Sequence, residues 1–152
     1  MRFIGSGGES GSGSSPGGAG PYWVINSDAT SVTLPNGQTA VPLTDPLRAE
    51  YVFDFAGTVD IKAVYAMSIA DANAIQLTVS SVTVQTGDDP DPVIPAPSTV
   101  GDTPGSDLNQ HEVAVLASVS VAVGDRLITV LDRGTDSHPG DVRVLAIYPE
   151  VQ

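Results

Sequence analysis

Two stretches of strict alternation limit what this chain can fold into. Tyr51, Phe53 and Phe55 alternate with Glu50, Val52 and Asp54. Ile61, Ala63, Tyr65, Met67 and Ile69 alternate with Lys62, Val64, Ala66 and Ser68. Successive side chains of a β-strand point to opposite faces, so a period of two marks a sheet with one buried face. Ile75, Leu77 and Val79 continue the pattern with Gln76 and Thr78 outward. At Ser80-Ser81 the phase flips, and Val82 and Val84 become the apolar positions. A flip inside one run predicts a bulge or a bend that passes the strand between sheets. Ala66 to Ala74 is the weak point, because its alanines also suit one or two helical turns.

Strand signals recur on both sides of this region. Tyr22 to Ile25 is a short apolar run that ends in the turn-like Asn26-Ser27-Asp28. Ser31 to Leu34 is followed by Pro35-Asn36-Gly37, a strong turn signal. In the last third, Val113, Val115, Val119, Val121 and Val123 share one phase, Gly124-Asp125 makes a turn, and Leu127 to Leu131 and Val142 to Tyr148 supply two more strands. Val113, Val115, Val119, Leu127 and Val130 are accordingly expected in the core or at a contact between copies. Residues 87–108 hold Pro90, Pro92, Pro95, Pro97 and Pro104 with five aspartates. Proline lacks the N–H that a sheet ladder needs, so this segment reads as one long loop dividing the body into halves. Short strands, Gly/Pro turns and no convincing helix predict an all-β, antiparallel β-sandwich. Two halves of about four strands fit a jelly roll of about eight strands; an immunoglobulin-like sandwich shows the same alternation.

Residues 1–20 differ from this body. Gly5 to Gly20 contains eight of the chain's 16 glycines, five serines and Pro16. Such sequence has no apolar face and behaves alone as a flexible coil. Phe3 and Ile4 lie at its far end. The division is therefore an extended Gly/Ser-rich N-terminal arm, 1–20, and a sandwich domain, 21–152. Arg2, Phe3, Ile4, Pro16 and Pro21 are the candidate residues by which the arm grips a partner.

Charge and composition exclude several classes. The 152 residues carry 18 acidic and 6 basic side chains, a net charge of -12 that repels phosphate and argues against nucleic-acid binding. Cysteine is absent, which removes disulfides, thiolate nucleophiles and cysteine-ligated metals together. No apolar run approaches the roughly 18 residues that span a bilayer, and the expected N-terminal apolar core of a secretory signal is not found.

Chemistry-bearing patterns are few. There is no G-x-S-x-G, P-loop or G-x-G-x-x-G. His111 and His138 are the only neutral-pH bases, and both read as exposed loop or strand-edge residues. Asp54 and Asp60 flank Ala56-Gly57, but a glycosidase pair would come with aromatic platforms, and aromatics are 5% of the chain. The reading is therefore that the chain is not an enzyme. Asp132, Asp136 and Asp141 share one loop with Gly134 and Gly140, a candidate weak calcium site, although Arg133 competes for the carboxylates and a solvated acidic loop explains them as well. No other cofactor is expected. Trp23, the single tryptophan, is the first candidate for stacking on a ligand such as a sugar.

Val119-Ser120-Val121-Ala122-Val123-Gly124-Asp125-Arg126-Leu127-Ile128-Thr129-Val130 resembles the strand–turn–strand of trimeric jelly rolls of the tumour-necrosis-factor/C1q type. Val142 to Tyr148 matches their closing strand, so the resemblance covers the C-terminal third; the aromatic-rich signatures of secreted C1q domains are missing. Small acidic cysteine-free domains of this kind with an N-terminal arm are similar to bacteriophage capsid decoration (cement) proteins. The resemblance implies a homotrimer on the capsid surface of a virion, made in the host cytoplasm, with the major capsid protein and neighbouring copies of itself as partners and no contact with membrane. The alternative it leaves open is a receptor- or carbohydrate-binding module of a phage fibre, tail or adhesin.

Overall fold

The computed structural model describes residues 30–152 in full and only the backbone of residues 2–4 and 23–26. The described strands are β1 (Arg2–Ile4), β2 (Trp23–Asn26), β3 (Val32–Thr33), β4 (Thr39–Pro42), β5 (Leu47–Val52), β6 (Gly57–Met67), β7 (Ile75–Val84), β8 (Ser98–Asp102), β9 (Glu112–Val121), β10 (Arg126–Arg133) and β11 (Val142–Val151). The described residues contain no helix. Ser68 to Ala74, where the alanines allowed one, is a loop whose Ser68 N–H donates to Asp141 O at 3.0 Å.

The strands form two antiparallel sheets, ordered β1-β2-β5-β10-β7-β8 and β3-β4-β11-β6-β9. Within them, β7 pairs with β8, β6 with β9, β5 with β10 and β4 with β11. These four pairs are nested. The chain runs out along β4 to β7 and returns along β8 to β11, and this strip is wrapped so that its pairs alternate between the sheets. That connectivity is an eight-stranded jelly roll and separates it from the immunoglobulin-like alternative. β1, β2 and β3 widen the edges.

The Pro-rich segment forms the tip of the strip, but it is not one loop. Proline-free Ser98-Thr99-Val100-Gly101-Asp102 lies inside it and forms β8, an edge strand paired with Ile75 to Val79. The first loop, 85–97, is pinned where Arg126 Nη1 donates to Pro90 O at 3.1 Å. Arg126 Nη2 also bonds Glu50 Oε1 at 2.7 Å, and Arg48 Nε shares that oxygen at 3.2 Å. A tight turn joins β9 to β10, with Gly124 at φ 89 and Gly124 N–H donating to Phe53 O at 2.7 Å. A side chain with a Cβ rarely adopts that φ, which explains glycine there.

The core lies between the two inner faces. Tyr51, Phe53, Ile61, Ala63, Tyr65, Met67, Ile75, Leu77 and Val79 point into it, as their alternation predicts. The phase flip at Ser80-Ser81 has a different cause from the one expected. β7 keeps unbroken register with β10 from Leu77 to Val84, so no bulge interrupts it and it stays in one sheet. Val82 and Val84 simply face outward, where Val84 is buried opposite Arg126.

Bulges occur elsewhere. In β9, Ile61 pairs with Ala117 and Lys62 with Val115, leaving Leu116 as an extra residue. Ala114 is consequently buried before the bulge, Leu116 at it and Val121 after it, with Val119 packed against the core. Val113 and Val115 are 41% and 50% exposed, so the shared phase read from the valines does not hold across the strand. Val130 also faces outward, whereas Leu127 is core as expected. In β11, Val144 pairs with Tyr65 and Ala146 with Val64, leaving Leu145 as an extra residue that packs against Leu34, Ala40 and Ala66.

One polar tie crosses the core. Tyr65 on β6 donates its hydroxyl to Asp102 Oδ2 on β8 at 2.5 Å. Burial, and then this bond, push the phenol well above its ordinary range, so it stays a donor. Tyr65→Phe is expected to lower stability by about 1–2 kcal/mol, the usual worth of a hydrogen bond to a charged group that retains some solvent. Denaturant titration checks this; an unchanged midpoint would show that the tie contributes nothing.

Candidate functional site

Three places bear on function: the sheet edge that takes the N-terminus, the acidic loop before β11, and a cleft on the outer face of the five-stranded sheet.

At the first, Arg2, Phe3 and Ile4 pair antiparallel with Ile25, Val24 and Trp23, and β2 in turn pairs with β5 through Val24–Glu50, Ile25–Ala49 and Asn26–Arg48. The arm residues expected to grip a partner thus add a strand to a sheet edge, here within their own chain. The side chains of Arg2, Phe3, Ile4 and Trp23, and all of Pro16 and Pro21, lie outside the described residues.

The acidic loop is organised around Arg133. Arg133 grips Asp136 with two bonds of 2.7 Å, Nε to Oδ2 and Nη2 to Oδ1. It also donates to Gly140 O at 2.9 Å and His138 O at 3.3 Å. Asp136 further accepts from Gln76 N at 2.9 Å and His138 N at 3.0 Å, and only 5% of its side chain is exposed. Arg133 holds its carboxyl down at about 2, helped by these two backbone bonds. Asp132 Oδ1 accepts from Arg133 N at 2.8 Å, and Asp141 is exposed. The three aspartates therefore do not converge, and among the described residues no group of three or more acidic, His or Cys side chains is placed to hold a metal. Arg133 engages both carboxylate oxygens of Asp136.

His138 is buried, contrary to the exposed position expected of it. Gly140 N–H donates to Nδ1 at 3.0 Å, which requires that nitrogen to be unprotonated and leaves Nε2 to donate to Asp71 O at 3.2 Å. The imidazole thus fastens the β6–β7 loop to the β10–β11 loop. Asp60 is engaged as well: Ser118 Oγ and Gln152 Nε2 donate to it, and these bonds lower its pKa from the ordinary value. Asp54 is exposed in the turn between β5 and β6.

The cleft was not anticipated. Leu34, Ala66 and Leu145 form its floor, and Pro35, Asn36, Gln38, Asn109 and His111 surround it, enclosing about 170 Å3. The β3–β4 turn supplies one wall, with Asn36 Nδ2 donating to Gln38 Oε1 at 2.7 Å and Gln38 N to Asn36 Oδ1 at 3.0 Å. The opposite wall is the loop before β9. There Asn109 adopts φ 57 and donates its N–H to Met67 O at 3.2 Å, while its buried Oδ1 has no partner. Leu145, the extra residue of the β11 bulge, lies on the floor. Pro35-Asn36-Gly37 and His111 were visible in the sequence only as a turn and a strand start; nothing local announces that they meet.

No family model and no curated protein matches the chain. Among solved structures it is similar to an isomalto-dextranase of Arthrobacter globiformis T6 complexed with panose, with a TM-score of 0.57, 16% identity, and coverage of 84% of this chain and 22% of that one. It is also similar to an exo-beta-1,3-galactanase of Phanerochaete chrysosporium with beta-1,3-galactotriose, with a TM-score of 0.51, 16% identity, and coverage of 83% and 27%. The chain spans about a quarter of the length of either protein. At such identity the likeness concerns the fold: a β-sandwich of jelly-roll type.

Proposed function

We propose that this domain is a structural protein of a virus particle, a decoration protein that sits on the outside of a capsid and reinforces the shell. The observation that carries the reading is the strand Arg2–Ile4, which pairs at a sheet edge from the far side of an 18-residue segment rich in glycine and serine, residues 5–22. A short strand on a long tether suits addition to an open edge, because main-chain hydrogen bonds supply the affinity and demand little of the partner's sequence. The same strand serves on the edge of a capsid subunit. Exposed Val113 and Val115 on the edge strand β9 offer an apolar face for a neighbouring copy in a trimer. The net charge of -12 suits a basic patch on the shell.

Light scattering on the full chain and on the chain without residues 1–20 tests this, together with sedimentation on capsid shells. The expected result is a trimer in both forms, with shell binding lost when the arm is removed and the body still folding cooperatively. A monomer in both forms would overturn the trimer, and undiminished shell binding by the arm-less protein would overturn the role of the arm.

A further inference from the structure

We infer that His138 is a proton-operated latch: the neutral ring holds the β6–β7 loop, residues 68–74, against the β10–β11 loop, residues 134–141, and a second proton on the ring releases that contact. The inference is separate from the assembly reading, since none of the residues involved belongs to the arm or to β9.

Three observations carry it. The first is that both ring nitrogens are committed. Nδ1 accepts from the Gly140 N–H at 3.0 Å and Nε2 donates to Asp71 O at 3.2 Å, so the contact needs the neutral Nε2–H tautomer. An imidazolium carries an N–H at both nitrogens. Its Nδ1–H would face the Gly140 N–H, and a hydrogen bond would become an opposition of two donors. The second is burial. His138 is 6% exposed, and both ring partners are main-chain groups, so neither nitrogen is paired with a carboxylate that would balance an added charge. The third is close packing. A Cβ on Gly140 would lie 3.1 Å from His138 Cε1 and 3.0 Å from Ile69 N, so ring, glycine and loop are stacked without slack. The charged ring relieves the opposition by leaving, and its bond to Asp71 goes with it.

The charges around the latch favour the neutral ring. From β10, Arg133 donates to His138 O and Gly140 O, which sets a cation against the same two residues. From the β10–β11 loop, Asp136 accepts from the His138 N–H, but Arg133 holds both of its oxygens, and Asp141 is exposed. From the β6–β7 loop, Asp71 gives the ring its carbonyl, while its carboxylate accepts from Asn73 N at 2.8 Å. Two further bonds join the loops, Ser68 N–H to Asp141 O at 3.0 Å and Asp141 N–H to Ser68 Oγ at 2.7 Å, and neither contains a titrating group. The ring is therefore the pH-sensitive member of the joint. A fold that holds an imidazole neutral binds fewer protons than the unfolded chain. The contribution of the latch is accordingly full above the ordinary imidazole value of about 6.5 and is lost as pH falls below it.

The test is imidazole nitrogen NMR with amide hydrogen exchange on the full chain, from about pH 7.5 to about pH 5. At the upper end His138 should show the Nε2–H tautomer. Toward the lower end, exchange at Ser68, Gly140 and Asp141, corrected for the intrinsic effect of pH, should rise about tenfold relative to β6 and β10, the equivalent of one hydrogen bond of average strength. His138→Gln keeps an acceptor and a donor on a side chain that does not titrate, and should abolish the rise. His111→Gln replaces the other histidine of the chain, which is exposed, and should leave the rise intact. In that variant His138 is the single imidazole, so its ring titration and the loop exchange should share one midpoint; this decides the matter if His138→Gln does not fold. An Nδ1–H tautomer, equal protection at both ends of the range, separate midpoints, or a rise that persists in His138→Gln overturns the inference.

Discussion

Arg133→Ala is expected to lower stability by about 2–4 kcal/mol, since it strands a buried carboxylate and frees two carbonyls at once. Asp136 would keep its bonds from Gln76 N and His138 N, which is why the loss falls below that of a fully orphaned ion. The effect carries a pH signature. The carboxyl of Asp136 sits at about 2 in the fold against an ordinary 3.8. A depressed folded pKa contributes stability that is present above the unfolded value and is lost as pH falls through the folded one. The shift corresponds to about 1–2 kcal/mol once solvent at the one-fifth exposed Arg133 is allowed for. The stability gap between the wild type and the Arg133→Ala variant should therefore narrow as pH falls from about 5 toward 2. Urea midpoints at several pH values measure this, and a gap that is constant over that range would show that the ion pair is not its source.

A second large effect is expected in β9, and it inverts what hydrophobicity alone suggests. Leu116→Ala should cost about 2–4 kcal/mol, the range for a buried leucine whose site relaxes only in part. Val115→Ala, one residue away and half exposed in the single chain, should change the stability of the isolated subunit by less than about 0.5 kcal/mol. Equal costs, or the reverse order, would mean that the bulge opposite Ile61 and Lys62 is misplaced.

The contrast between these two residues shows where the sequence is informative. Tyr51 to Phe55, Ile61 to Met67 and Ile75 to Val79 follow a period of two because each run crosses one face of the core without interruption, and their inward residues were legible at once. β9 and β11 each contain one extra residue, so a single phase read along them inverts partway. A bulge is set by pairing with a partner strand, which neighbouring residues in sequence do not report. β8 was hidden for another reason, because prolines on both sides of Ser98–Asp102 masked a short edge strand that needs few ladder bonds. The buried position of His138 depends on Asp71, far away in the chain, and no local pattern anticipates it. The cleft depends on four separate segments brought together by the jelly-roll wrap, so Asn109 carried no signal of its own. The acidic loop is the opposite case, because Arg133 and Asp136 are three residues apart and their pairing was foreshadowed by the sequence alone.

The nested strip also orders assembly in time. The β7–β8 pair closes across the 13 residues 85–97, whereas β4 and β11 join Val41 to Val144 across most of the chain. Closure entropy rises with the span, so pairing is expected to zip from the proline-rich tip outward, with the distant pairs forming late. Interactions absent from the transition state act mainly on the rate of opening. A strand laid outside β2, on the side of the strip remote from its tip, therefore works as a brake on unravelling and leaves the speed of folding nearly unchanged.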